Sequence, residues 1–178
     1  GATAVLMGGP DILTSLASGA IDAAEWICPV ADLGLGMHQA AKFYYGPGWH
    51  EPSTLLDLSI DLKEWEGLDA DTQGLMMEMA KAFNVDVFSR FQALNGPALG
   101  KLLNEHGVQL KTFPDELLIA LGNAAGEVME ERGSIDSQTK AICNHILSFR
   151  KNIMDWSTKG ESEFARIRNL SFKYPYSV

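Results

Sequence analysis

Three side chains could be assembled into a general acid–base site: Glu25, His50 and Glu51. A carboxylate and an imidazole held together can exchange a proton with a bound substrate near neutral pH. Nothing else in the chain extends that chemistry. There is no Ser, Cys or Lys nucleophile motif, no Gly-rich phosphate loop and no paired-histidine zinc motif. Gly8-Gly9-Pro10 is too short for a phosphate cradle. His38, His106 and His145 have no ligand-like spacing and read as surface or core residues. Cys28 and Cys143 stand far apart without metal spacing and read as two buried thiols, with a disulfide left open. Met76, Met77, Met79 and Phe83 could make an adhesive helix face, but the buried face of a long helix accounts for them more simply.

The elements that must position these residues follow from periodicity. The apolar run Ala4–Met7, ending in Gly8-Gly9-Pro10, predicts a strand entering a turn. Asp11 is placed to cap a short helix stopping near Gly19. Leu33, Met37, Ala40 and Ala41 have helical spacing across Asp32–Phe43, and Tyr44–Pro52 reads as an aromatic loop broken by Gly and Pro. Leu56, Leu58, Ile60 and Leu62 alternate with polar residues, the period of a half-buried strand. A nearly continuous helix is predicted from Asp71 to about Glu105, with a kink at Gly96-Pro97. A short strand follows over Val108–Phe113, then helices over Asp115–Arg132, Ile135–Trp156 and Glu161–Leu170. The fold class is α/β and rich in helix. Three short strands are too few for a free-standing sheet, so the sheet is expected to be completed from outside this chain.

Composition narrows the partners. With 14 Lys and Arg against 23 Asp and Glu, the formal net charge is -9, which disfavours nucleic acid and anionic membranes. No run approaches the 18 or so unbroken apolar residues of a membrane-spanning helix. No secretory signal opens the chain, whose first residues read as the middle of a domain.

Two segments carry a resemblance. Gly19-Ala20-Ile21-Asp22-Ala23-Ala24-Glu25-Trp26 and the run from Ala41 through Tyr44-Tyr45-Gly46-Pro47-Gly48-Trp49-His50-Glu51 to Pro52 closely resemble the periplasmic solute-binding proteins of TRAP transporters, the DctP family. Ile60–Trp65, Leu68–Thr72, Glu105–Val108 and Phe113–Glu116 match more weakly, so the likeness runs over nearly the whole chain. Within the family it resembles the branch that binds 2-oxo acids and other carboxylates.

The resemblance implies a two-domain clamp of the type II periplasmic-binding kind, with this chain as roughly its C-terminal half and its sheet incomplete. Residues 1–23 and about 64–178 would belong mainly to the C-terminal lobe, with about 24–63 crossing towards the N-terminal lobe and hinge. The implied function is reception of a small organic acid, a 2-oxo or 2-hydroxy monocarboxylate or a dicarboxylate, and its delivery to membrane permease subunits. Glu25, Trp26, Trp49, His50 and Glu51 are the implied ligand-binding positions. Glu25, Trp26 through its main chain, and Glu51 are the implied metal positions, for a Na+ or Ca2+ bridging ligand and protein. No catalytic cofactor is implied, and a homodimer through a C-terminal helix over Ser162–Leu170 is. Physical chemistry agrees with the pairing: two carboxylates from separate loops repel unless a proton or cation sits between them. The family's carboxylate-binding arginine is expected upstream of residue 1. The rival reading is a small-molecule-binding or metal-dependent enzyme domain using Glu25, His50 and Glu51.

Overall fold

The computed structural model describes residues 2–49, 51 and 56–173 of the chain. The chain divides into two compact units, Gly1–Phe113 and Pro114–Val178.

In the first unit, helix α1 (Gly9–Ser18) starts with Pro10 in its first turn, where the missing N–H costs nothing. Gly8 occupies the capping position and makes no side-chain bond, while Asp11 lies inside the first turn, not at the cap. The helix ends at Gly19, whose positive φ of 73° returns the Gly19 and Ala20 N–H groups to Leu16 and Ser15 carbonyls. The expected strand over Ala4–Met7 does not form. Val5 and Leu6 are exposed, and the run makes no ladder among the described residues. An apolar tetrapeptide becomes a strand only where another strand pairs with it.

Helix α2 (Pro29–Leu35) stops at Gly36, and a 3₁₀ turn follows at Met37–Gln39. The predicted helix over Asp32–Phe43 is thus cut short by a left-handed glycine at φ 79°. Strand β1 (Phe43–Gly46) then takes the last residue of that predicted helix and the first three of the aromatic run expected to be a loop. Residues 56–61 are not a strand despite their alternation. Leu58 and Ile60, with Leu62 and Trp65, instead line an apolar groove against Met76, Met77 and Ala80. Alternating apolar side chains can be spent on a helix face as well as on a sheet face, and that competition decided this segment. Helix α3 (Leu62–Glu66) is capped by Asp61, which accepts from the Lys63 and Glu64 N–H groups.

Helix α4 (Ala70–Asn104) runs for 35 residues, about 50 Å at 1.5 Å per residue. Asp69 caps it, and the helix continues through Pro97. Past its end Gly107 takes φ 66°, and the Val108 N–H bonds back to Leu102. Strand β2 (Gln109–Thr112) pairs parallel with β1, Phe43 opposite Gln109 and Gly46 opposite Thr112. A parallel pair needs a crossover, and the segment containing α4 supplies it. The expected strand over Val108–Phe113 is therefore present, and its partner is one that periodicity did not predict. Among the described residues the buried apolar core comprises Ile12, Ala98, Leu102 and Val108. Ala98 and Leu102, one turn apart, put the C-terminal part of α4 into this core, where α4 packs on α2.

The second unit consists of α5 (Asp115–Gly133) and α6 (Ser137–Ser157), packed together, then a π-helical turn at Thr158–Ser162 and α7 (Glu163–Arg168). These match the predicted helices within a few residues.

Candidate functional site

Glu25 and Trp26 lie between α1 and α2, in a stretch from 21 to 28 with no regular structure. Glu25 is exposed and Trp26 half-buried. The Trp26 ring rests on the backbone of α1 at Gly9, where an added Cβ would stand 2.4 Å from the indole. Only the absence of a side chain there lets the ring sit so low.

Trp49 and Glu51, both exposed, follow directly on β1. His50 lies outside the described residues. All four described site positions fall in the first unit, on two separate segments.

Between those segments stands Asp32, 7% exposed and the one buried charged side chain among the described residues. It accepts from the Ile27 N–H at 3.4 Å and from the Tyr44 hydroxyl at 2.5 Å. Burial pushes its carboxyl above the usual range, with the Tyr44 and backbone hydrogen bonds opposing that rise. Tyr44 is raised strongly, by its own burial and by the carboxylate beside it. The phenol therefore stays protonated and donates. Asn95 of α4 accepts from the Val30 N–H at 3.2 Å, fastening the start of α2 to the long helix. An acid among Val30, Ala31, Leu33 and Leu35 was the sequence's sign that Asp32 is unusual. No local spacing tied it to Tyr44, or Val30 to Asn95.

His38 and His106 stack at 3.9 Å between ring centroids, a contact that sequence spacing did not disclose. The buried His38 Nδ1 has no hydrogen-bond partner among the described residues. Burial first, then His106, hold its pKa below the usual imidazole value. Cys28 and Cys143 are free, half-buried thiols.

Glu25 and Glu51 offer hard oxygen donors, the right chemistry for Na+ or Ca2+. No group of three or more His, Cys, Asp and Glu side chains is gathered for a metal among the described residues. These side chains alone thus fall short of the six to eight oxygens that calcium takes. Nor is any described helix long and apolar enough to cross a membrane.

Comparison with known proteins adds three findings. Residues 1–134 match the model of the bacterial extracellular solute-binding proteins, family 7, DctP. A monocarboxylate 2-oxoacid-binding periplasmic protein of a Nostoc species is 35% identical over 167 residues, which is 94% of this chain and 45% of that protein. Two solved TRAP-transporter solute-binding proteins superpose well. That of Colwellia psychrerythraea, with bound calcium and pyruvate, gives a TM-score of 0.84 at 29% identity over 93% of this chain and 51% of its own. That of Bordetella bronchiseptica, a mixed-occupancy dimer with calcium and picolinate in one site, gives 0.81 at 28% identity over 91% of this chain and 48% of its own. The chain spans about half the length of the relatives it matches.

Proposed function

Because this chain belongs to the DctP family of bacterial extracellular solute-binding proteins, we propose that it is the C-terminal portion of a TRAP-transporter receptor. The receptor binds a small organic acid in the periplasm, a 2-oxo or 2-hydroxy monocarboxylate or a dicarboxylate. It passes that acid to membrane permease subunits and performs no reaction on it. The observation that carries this reading is the placement of Glu25-Trp26 and of Trp49 and Glu51 on two loops of one unit, in a chain 35% identical to a 2-oxoacid-binding periplasmic protein.

Glu25, the main chain at Trp26, and Glu51 hold a cation, calcium in the two solved relatives. The acid's own carboxylate completes the oxygen shell. Trp26 and Trp49 cover the rest of the ligand, and His50 lines the site. The remainder of the receptor supplies the arginine that pairs with the carboxylate, a geometry suited to guanidinium. In this reading residues 1–23 and about 64–178 belong mainly to the C-terminal lobe, and about 24–63 cross towards the other lobe. Ligand and metal bridge the lobes and so favour the closed clamp. A homodimer through the C-terminal helices is part of the same reading. It is supported by Phe164 and Ile167 of α7 and Leu170 just past it, exposed apolar side chains three residues apart within Ser162–Leu170.

The test is calorimetric titration of the full-length receptor with pyruvate and with calcium. Glu25→Gln should weaken both by about ten-fold or more, since a charge-assisted contact is lost. Unchanged affinity for both would remove Glu25 from the site.

A further inference from the structure

The segment carrying Glu25 and Trp26 has no ladder of its own, so its position depends on tertiary anchors. One anchor acts on both ligand-bearing loops. Asp32 holds the Ile27 N–H, the peptide directly after Trp26, with Oδ1. With Oδ2 it holds the hydroxyl of Tyr44, in the strand that ends at Gly46 and leads to Trp49 and Glu51. Tyr44 is half-buried, whereas its neighbours Phe43 and Tyr45 are 57% and 49% exposed. The strand therefore turns this one of its three aromatic residues inward, towards the carboxylate.

We propose that Asp32 and Tyr44 are positioning residues of the ligand site, fixing the Glu25-Trp26 loop and the Trp49–Glu51 loop at one separation. This rests on the assignment of those loops to the ligand. A cation or carboxylate shared between two loops tolerates little change in their spacing. A buried, charge-assisted hydrogen bond is short and directional, and water does not readily replace a lost partner there. The carboxylate grips one loop with each oxygen, so loss of either contact frees that loop relative to the other. Neither residue touches the ligand in this arrangement.

The experiment uses the full-length receptor, saturated with calcium and titrated with pyruvate, alongside thermal unfolding without ligand. Tyr44→Phe keeps the ring and removes the donor; affinity should fall about ten-fold. Asp32→Asn keeps an acceptor for the Ile27 N–H and can donate its amide N–H to the phenol oxygen, so it should lose less than three-fold. Asp32→Ser cannot reach Tyr44 and should resemble Tyr44→Phe. Tyr44→Phe combined with Asp32→Ser should lose little more than the worse single change, because Asp32→Ser has already removed the acceptor of the Tyr44 hydroxyl. A contact that serves stability alone would lower the unfolding temperature and leave the folded receptor's affinity unchanged. That result in Tyr44→Phe, with Glu25→Gln still weakening pyruvate, overturns the positioning role. Were Tyr44→Phe not to fold, equal affinities in Asp32→Asn and Asp32→Ser would overturn it equally. Should Glu25→Gln leave pyruvate and calcium untouched, the site assignment fails first and the positioning role falls with it.

Discussion

Gly9 and Trp26 are separated by 17 positions, and a missing side chain at one makes room for the ring of the other. Because an alanine Cβ would lie 2.4 Å from the indole, Gly9→Ala should force Trp26 or α1 to move. The expected cost is about 1–3 kcal/mol of stability, read by denaturant unfolding, with pyruvate affinity falling in parallel. Gly9 could not have been picked out from the sequence, where Gly8-Gly9-Pro10 reads only as a turn. Glu25, Trp26, Trp49, His50 and Glu51 were singled out through a resemblance between motifs, not through their spacing. Asp32 and Tyr44 stayed hidden because a buried hydrogen bond spanning 12 positions leaves no periodic trace.

Helices were legible where local chemistry is sufficient. Asp69 and Asp136 both cap long helices through the same Asp-x-x-Thr pattern. In each, the carboxylate accepts from the threonine N–H and hydroxyl three residues on. Those backbone and side-chain bonds, led by the Thr139 N–H, hold the Asp136 carboxyl below its usual 3.8. A depressed folded-state pKa means the cap's contribution is fully present above that usual value. It is lost as pH falls through the lower folded one. Asp136→Ala should therefore lower the unfolding midpoint by a few degrees at neutral pH, and the difference from the unsubstituted protein should shrink on acidification below 3.8. A difference that persists at low pH would count against the cap. Strands were less legible, because each depends on a distant partner. Leu56–Leu62 alternates correctly and yet part of it lies on α4, whereas Phe43–Gly46 lacks clean alternation and pairs. Val108–Phe113 was found because a left-handed glycine and a change of period bracket it.

At the scale of the molecule, the acidic balance and helix-rich α/β class were readable from composition and periodicity. What composition could not convey is how much apolar surface stays uncovered: Leu75, Phe83, Val85 and Phe88 of α4 are all more than 60% exposed. The chain spans about half of its relatives' length, and under the proposed function the rest of the receptor would cover part of that surface. The parallel pairing of β1 with β2 also sets an order of events in time. Residues 43 and 109 lie 66 positions apart in register, and closing a flexible loop of that length costs about 4 kcal/mol in chain entropy. Two four-residue strands cannot offset that cost by themselves, so α4 must be substantially formed before the sheet closes. The expected transition state therefore contains much of α4, with the strands zipping afterwards. Ala98→Gly in α4 should slow refolding of the receptor about five-fold, in line with glycine's helix cost. Tyr45→Ala, which removes the stack on Phe113 beside the sheet, should leave refolding nearly unchanged and hasten unfolding. Stopped-flow rates separate the two, and a slower refolding limb in Tyr45→Ala would reverse the order. If the proposed function holds, this order places the loop leading from β1 to Trp49 and Glu51 among the last parts to fold and the first to come apart.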